Sequence, residues 1–486
     1  MSAEGVAQSR VVAAVPRFGP LRTTVGLDPA CTIAFCLTFA LLLFLPPILN
    51  DGDTLWQIRT GEWILDHHAI PSIDPFSYTA GDQPWVAHEW LAETAMALAW
   101  RTAGMPGIMV LAAAATGLTA AILLHHLRRF LPGIYAVMGL IVALANAAPS
   151  MLARPHLIAW PCLVLWCGGL IAARANRAAP SFWLLPLMLL WVNLHGSFMI
   201  GLLLPGAFLL EAMFDAGTNP RRTFIDWACF TLAAWTVALL NPGFLAGELF
   251  PIHMLGMTSL AWVGEWQPTD FSHIQPLEMI ILAGLALGLS GKVRLPPVRL
   301  LMLLALIHGA LSHGRNEQLL GLVGVLILAE PLGASLGRGH AEAMGAAWHR
   351  VAAGTALIAA LALAGRLALP LSPERTGAAF AATIEHVSPA LREKPVLNEY
   401  SLGGQLIFQG VRPFIDSRAD LYGDAFLTRY HRITWPDRAE LDRALAEFGI
   451  AWTMFPSRDR IVPLLDQEPG WRRLIEVDGL VIHVRE

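Results

Sequence analysis

The chain reads as a polytopic α-helical membrane protein with a C-terminal soluble α/β domain, and three observations say so. Of its 486 residues, 55% are hydrophobic and 14% charged, where an ordinary soluble domain carries roughly 25% charged residues. Long apolar runs recur up to residue 370, and crossing roughly 30 Å of hydrocarbon takes about 20 such residues as helix. Arginine and lysine gather in alternate loops between those runs.

About eleven runs qualify as transmembrane helices. They lie at 31–49, 105–127, 133–149, 156–173, 181–194, 198–214, 224–240, 277–290, 299–311, 317–332 and 351–369. The pair at 181–214 also reads as one long bent helix. Arg10, Arg17 and Arg22 precede the first run. Arg128 with Arg129, Arg174 with Arg177, Arg221 with Arg222, and Lys292 with Arg294 and Arg299 fall in alternate loops. By the positive-inside rule these loops and the N-terminus face the cytoplasm. No small-residue cleavage pattern follows the first run, which reads as an uncleaved anchor.

An odd number of spans then places residues 371–486 on the outer face. Short strand-like and helix-like patterns alternate there, as expected of an α/β domain of ordinary size. The division is residues 1–370 as the membrane domain, with a first outer loop at about 50–104, and 371–486 as the outer domain. Cys31, Cys36, Cys162, Cys167 and Cys229 all lie in the expected spans, so the outer domain uses no disulfide. A formal net charge of −4 without a basic block gives no sign of a nucleic-acid partner.

This topology sorts the polar residues onto one membrane face. Asp51, Asp53, His88, Glu89, Arg154, His156, Asn193, His195, Asn241, Glu265, His313, Arg315 and Asn316 all fall at outer span ends or in outer loops. A simple anchor has no reason to gather them; a polar cavity opening outward does. The segment DGDTLWQIRTGEWILDHHAI puts two carboxylates at the mouth of the first span, then an amphipathic helix lying in the interface and ending at Pro71. Capping and solvation are the plainer reading of Asp51 and Asp53.

PWVAHEWLAETAMALAW forms a second interfacial helix with His88 and Glu89 at its start, where the helix dipole favours an acid in any case. The alternative is that His88 or Glu89 joins Asp53 around a divalent cation, Mg, Mn or Zn. Arg154 and Arg315 suit snorkelling or a lipid phosphate, whose oxygens the guanidinium fork matches. WVNLHGSF sets Asn193 and His195 at a helix break, where freed backbone groups need partners. His156, Asn193, His195, Glu265 and Asn316 are the candidates for substrate contacts. NEYSLGGQLI reads as a tight Gly403–Gly404 turn, and the chain has neither a dinucleotide nor a P-loop fingerprint.

DGDTLWQIRTGEWI, HEWLAE, WVNLHGSF, EWQP, GRN, NEYSLGGQLI and FIDSRADLYGD, in a polytopic chain with an outer C-terminal domain, resemble the GT-C glycosyltransferases. That class includes protein O-mannosyltransferases, aminoarabinose transferases and oligosaccharyltransferases, and the chain looks like an uncharacterised bacterial branch. Only the first-loop acidic motif, Asp51 and Asp53, carries over as chemistry. The resemblance implies a multi-pass protein of the bacterial inner membrane that moves a sugar, with inversion, from a polyprenyl-phosphate donor to a saccharide, lipid or protein acceptor outside the cytoplasm. Asp53 or Asp51 is then the general base, with Arg154 and Arg315 on the donor phosphate. Two rival classes share the outward cavity: a transporter or flippase of lipid-linked sugar, and a noncatalytic assembly factor for envelope polysaccharide.

A reporter active only outside the cytoplasm, fused after Glu486, is expected to be active. An inactive exported reporter with an active cytoplasmic one would overturn both the topology and the outward cavity.

Overall fold

The structure, a computed structural model, describes residues 28–81, 83–214, 219–337, 345–372, 378–435 and 437–486. Arg10, Arg17 and Arg22 lie outside them. Each apolar run falls on a helix: α1 (Pro29–Leu42), α3 (Trp90–Leu127), α4 (Gly133–Ala147), α5 (Pro155–Ala175), α6 (Leu185–Val192), α7 (Phe198–Phe214), α8 (Pro220–Ala238), α10 (Pro276–Leu289), α11 (Pro297–Ser312) and the helices Gly314–Ser335 and Ala346–Ala368. Among the described residues five helices, Trp90–Leu127, Gly133–Ser150, Pro155–Ala175, Gly314–Ser335 and Ala346–Ala368, are long and apolar enough to cross a membrane. The finer count of eleven spans rests on the sequence.

Local chemistry sets the ends of these helices. Asp28 caps α1 by accepting from the Ala30 N–H at 2.9 Å, with Pro29 in the first turn, where its missing N–H costs nothing. The 38-residue α3 is interrupted at Ala103 and Gly104, whose φ is +62°, so an interfacial arm precedes the membrane-crossing part. The 181–214 region is two helices and not one, broken between Val192 and Phe198 at the residues that suggested a break.

In the loop between α1 and α3, α2 spans Asp53–His67. It stops before Pro71 because His68 adopts a left-handed φ of 50°, a conformation that closes a helix. Gly61 lets α2 lie directly on α3, since a Cβ there would overlap the Glu93 carbonyl.

In the C-terminal region a four-stranded sheet has the order β1-β2-β4-β3. β1 (Val396–Asn398) runs parallel to β2 (Trp452–Pro456), with Val396 opposite Trp452. β4 (Leu480–Arg485) runs antiparallel to both β2 and β3 (Trp471–Val477). Asp478 and Gly479, with φ of 51° and 74°, make the two-residue turn that joins β3 to β4. Gly403 and Gly404 are not a turn: they open the helix Gly403–Phe408. A Cβ at Gly404 would overlap the Gly52 carbonyl, and one at Gly403 the Ile415 carbonyl. The glycines are there for close approach, and they seat the C-terminal region on the start of α2.

The hydrophobic cores show how closely these parts are joined. One core fills the helical bundle, and a second lies between the sheet and its helices, around Trp452, Ile482 and Leu406. A third is shared: Trp56 and Trp85 of the first loop pack with Leu260, Phe414, Tyr422 and Phe455. At its centre Arg418, 2% exposed, donates to Asp74 at 2.8 Å and to Asp416 at 2.8 and 2.7 Å. Its guanidinium also lies over Trp85, 4.7 Å from the ring centroid.

A lighter tie joins the loop after α9 (Leu245–Leu255) to the helix Ala419–Thr434. Asp424 accepts from the backbone N–H groups of Thr258 and Ser259 at 3.0 and 2.9 Å and from both hydroxyls. Nearby, Trp262 stacks on His431 at 4.4 Å.

Arg418→Leu leaves Asp74 and Asp416 buried without their cation, and breaking such a buried pair costs about 3–5 kcal/mol. Thermal unfolding of the purified variant is expected at clearly lower temperature, with faster proteolysis of the C-terminal region. A melting profile matching the wild type would refute the clamp.

Candidate active site

The site forms where the chain leaving α1 meets the start of α5. After α1 a 3-10 turn, Pro46–Leu49, delivers the chain to Asp51. The Ala153 N–H donates to the Ile48 carbonyl at 2.8 Å, and the Thr54 hydroxyl donates to the Ala153 carbonyl at 3.0 Å. These two bonds set Asp51 and Asp53 against Arg154, the residue that precedes α5.

Arg154 is the hub of the site. It holds Asp51 in a two-pronged pair through its Nε and a terminal nitrogen, the latter at 2.6 Å from Oδ1. It meets Asp53 Oδ2 at 3.1 Å and Glu265 Oε2 at 2.7 Å. Glu265 reaches on to Arg315 at 3.2 Å, and Arg315 lies over the Trp266 ring at 4.3 Å. The four guanidinium contacts of Arg154 all go to carboxylates. Arg315, at 30% side-chain exposure, carries a lighter load.

A cavity of about 220 Å³ opens beside this chain of charges, lined by Ser150, Arg154, His156, Glu265, Arg315 and Gln318 among others. His156 donates from Nε2 to the Ser150 carbonyl, 2.6 Å away, and its ring meets His195 edge-on at 5.9 Å. His195 Nε2 in turn stands 3.5 Å from Glu89.

The two aspartates differ in access. Asp51 is 5% exposed at its side chain and Asp53 is 19%. Burial pushes Asp53 up to about 6, with Asp51 adding to the rise and Arg154 opposing it. Glu89 is pushed further, to about 8, again by burial, and burial holds His88 down at about 4. Burial also raises Glu265, but Arg315 and Arg154 outweigh it and hold the carboxyl below its usual value. At neutral pH the site therefore sets an ionised Asp53 near a protonated Glu89.

Several residues go elsewhere than the sequence suggested. The Asn193 amide accepts from Trp90 at 2.7 Å and donates to the Leu189 and Leu240 carbonyls, so it braces the break between α6 and α7 and leaves no free amide group for substrate. Asn316 donates to the Gly309 carbonyl at 3.3 Å and closes the end of α11. Among the described residues no group of three or more His, Cys, Asp or Glu is placed to hold a metal ion. The His88 ring is stacked on Phe250 at 3.8 Å, and Asp53 faces Arg154.

Three contributors come from the C-terminal region and were not singled out from sequence. Ser417 donates its hydroxyl to Asp53 and accepts from the Trp56 indole N–H at 3.0 Å. Tyr400 donates to the Ser417 carbonyl at 3.0 Å. Asp420, pushed up to about 6 by burial, is within electrostatic reach of Glu89. Their signal was the polar density of NEYSLGG and FIDSRADLYGD.

The chain aligns in three dimensions with two solved structures that hold lipid phosphates. One is the archaeal oligosaccharyltransferase AglB of Archaeoglobus fulgidus, in complex with an inhibitory peptide and a dolichol-phosphate, with a TM-score of 0.52 at 12% identity over 88% of this chain and 69% of that one. The other is ArnT of Cupriavidus metallidurans bound to undecaprenyl phosphate, with a TM-score of 0.51 at 12% identity over 93% and 98%. The fold is the GT-C fold. The Archaeoglobus oligosaccharyltransferase with Zn and sulfate gives a TM-score of 0.50 at 12% identity over 88% and 68%. No family model matches the sequence, and no curated protein does either. At such identity the likeness is one of GT-C fold alone, and the chemistry has to come from the side chains described above.

If the cavity takes an anion, Arg315→Ala weakens it far more than Arg222→Ala, whose side chain is 83% exposed and pairs only loosely with Asp226 at 3.6 Å. Equal binding of a polyprenyl phosphate by the two folded, detergent-solubilised variants would reduce Arg315 to a partner of Glu265.

Proposed function

We propose that this protein is a glycosyltransferase that moves a sugar from a polyprenyl-phosphate donor to a hydroxyl acceptor at the outer face of the membrane. The observation that carries the reading is the accessible Asp53, set beside a cavity walled by Arg154, Glu265 and Arg315. A half-buried carboxylate that titrates near 6 is ionised at neutral pH yet still basic enough to accept a proton. A pair of guanidinium groups against a low-dielectric wall suits a departing phosphate.

In this reading the donor's phosphate enters the cavity and leans on Arg315, with Arg154 behind it. Arg154 mainly holds the acids in place, because its contacts are already given to them. The donor's chain lies in the open apolar groove of about 490 Å³ on the membrane side, between Trp90, Leu189, Leu190 and Leu240. Asp53 takes the proton of the acceptor hydroxyl as its oxygen bonds to the sugar's anomeric carbon. The bond from that carbon to the phosphate oxygen breaks, and its electron pair leaves with the lipid phosphate. Attack opposite the leaving group inverts the anomeric centre. Ser417 orients Asp53 and keeps one carboxylate oxygen hydrogen-bonded throughout. Support for the lipid donor comes from the solved relatives, whose bound lipids are dolichol-phosphate and undecaprenyl phosphate. The polar groups gather at one end of the helices, which favours transfer at that face over transport, where they are expected near the midplane.

Asp53→Asn keeps the size and hydrogen bonds of the side chain but removes its basicity, and turnover is expected to drop roughly 100-fold or more while the donor still binds. The wild-type rate should fall as pH drops through about 6, since protonation disables a base whose value is raised. Near-normal turnover by the variant would remove Asp53 as base, and loss with Asp51→Asn alone would transfer the role.

A further inference from the structure

A second cleft, of about 480 Å³, lies on the outer side of the protein between the 259–263 loop and the C-terminal region. Its size falls in the usual range of ligand clefts, roughly 300–1,000 Å³. Nothing in the chemistry proposed above uses its floor, which is a pile of planar groups. Trp262 lies parallel to His431 with centroids 4.4 Å apart. His431 meets Trp435 at 5.1 Å, and the Arg460 guanidinium covers the Trp435 ring at 4.2 Å. Trp262 and Trp435 nonetheless remain 46% and 54% exposed. Two large indoles held in fixed orientation and left open to water, in a cleft and away from the membrane-crossing helices, are not explained by core packing.

The rest of the wall mixes apolar side chains, Val263, Leu427, Phe455 and Ile461, with charged groups of both signs. Glu399, Asp459, Arg458 and Arg460 line it, with the hydroxyls of Ser259 and Thr434. A pyranose ring has a face of C–H groups and a rim of hydroxyls, so it matches an indole plane with the one and charged, planar hydrogen-bonding groups with the other. A strongly charged ligand meets both signs, and a purely apolar one meets the charged rim of Glu399, Asp459, Arg458 and Arg460. The cleft also communicates with the catalytic chain, because Tyr400 lines it and donates to the Ser417 carbonyl, while the Ser417 hydroxyl donates to Asp53.

We propose that this cleft is the acceptor site and that its ligand is an oligosaccharide, held by stacking on Trp262 and Trp435 so that its terminal hydroxyl is presented past Tyr400 toward Asp53. The proposal rests on the glycosyltransferase reading for the word acceptor, but the binding of saccharide stands or falls without it.

The test uses the full chain in detergent, in wild-type form and as Trp435→Ala, Asp53→Asn and the distant Trp183→Ala, whose side chain is 89% exposed at the other end of the helices. Each is applied to an array of neutral and acidic oligosaccharides alongside random peptides, and the best saccharide is titrated by calorimetry. Wild type, Asp53→Asn and Trp183→Ala are expected to bind it alike, with Trp435→Ala at least 10-fold weaker and all four equal toward undecaprenyl phosphate. Binding of no saccharide, of peptide instead, or of saccharide with unchanged affinity by Trp435→Ala would overturn the proposal. Should Trp435→Ala misfold, Trp262→Phe, which shortens the platform without removing it, is expected to weaken binding and would overturn the proposal by leaving it unchanged. Retained saccharide binding by a protein with no transferase activity would sink the glycosyltransferase reading and leave this one standing.

Discussion

The contact between the first loop and the C-terminal region depends on burying Arg418. A guanidinium with 2% exposure is tolerable only when its charge and its donors are met, and here they are met by one carboxylate from the first loop and one from its own neighbourhood, Asp74 and Asp416. Because the partners belong to parts of the chain more than three hundred residues apart, satisfying the charge also fixes the first loop against the C-terminal region. Trp56 and Trp85 then close over the guanidinium, and Ser417, the residue beside it, arrives at Asp53. The same contact that seals the shared core thus completes the site.

Close approach does the rest of the alignment. At Gly52 and Gly404 two backbones touch with no room for a side chain, so the acidic turn has little freedom to shift relative to the sheet. Arg154 supplies the opposite kind of constraint, drawing Asp51, Asp53 and Glu265 from two separate loops to one cation. Without it three carboxylates at this spacing would repel one another. The site is therefore assembled by charge around Arg154 and by shape at Gly52 and Gly404.

The helical plan was legible because it follows from apolar length, and each run found its helix. Asp51, Asp53, Arg154, Glu265 and Arg315 were legible as a group because topology alone puts them in one layer. Their pairing was not: nothing in sequence spacing says that Arg154 would spend its donors on three acids or that Asn193 would turn inward to hold a helix break. Ser417, Tyr400 and Asp420 were missed because they belong to another fold unit, and only the burial of Arg418 brings them across. The Gly403–Gly404 pair was misread as a turn, since a glycine needed for contact and a glycine needed for conformation look alike in a sequence.

The latch at Asp424 has a consequence for the way acid acts on this protein. Its carboxylate is held down to about 2 by the hydroxyl of Ser259 and the N–H groups of Ser259 and Thr258, so it keeps its charge through the whole range in which Asp53 titrates. The segment it holds carries Trp262 and leads directly to Glu265. Mild acidification therefore neutralises Asp53 while the architecture around it stays fastened, and the change is of the kind that reverses as soon as the proton is taken back.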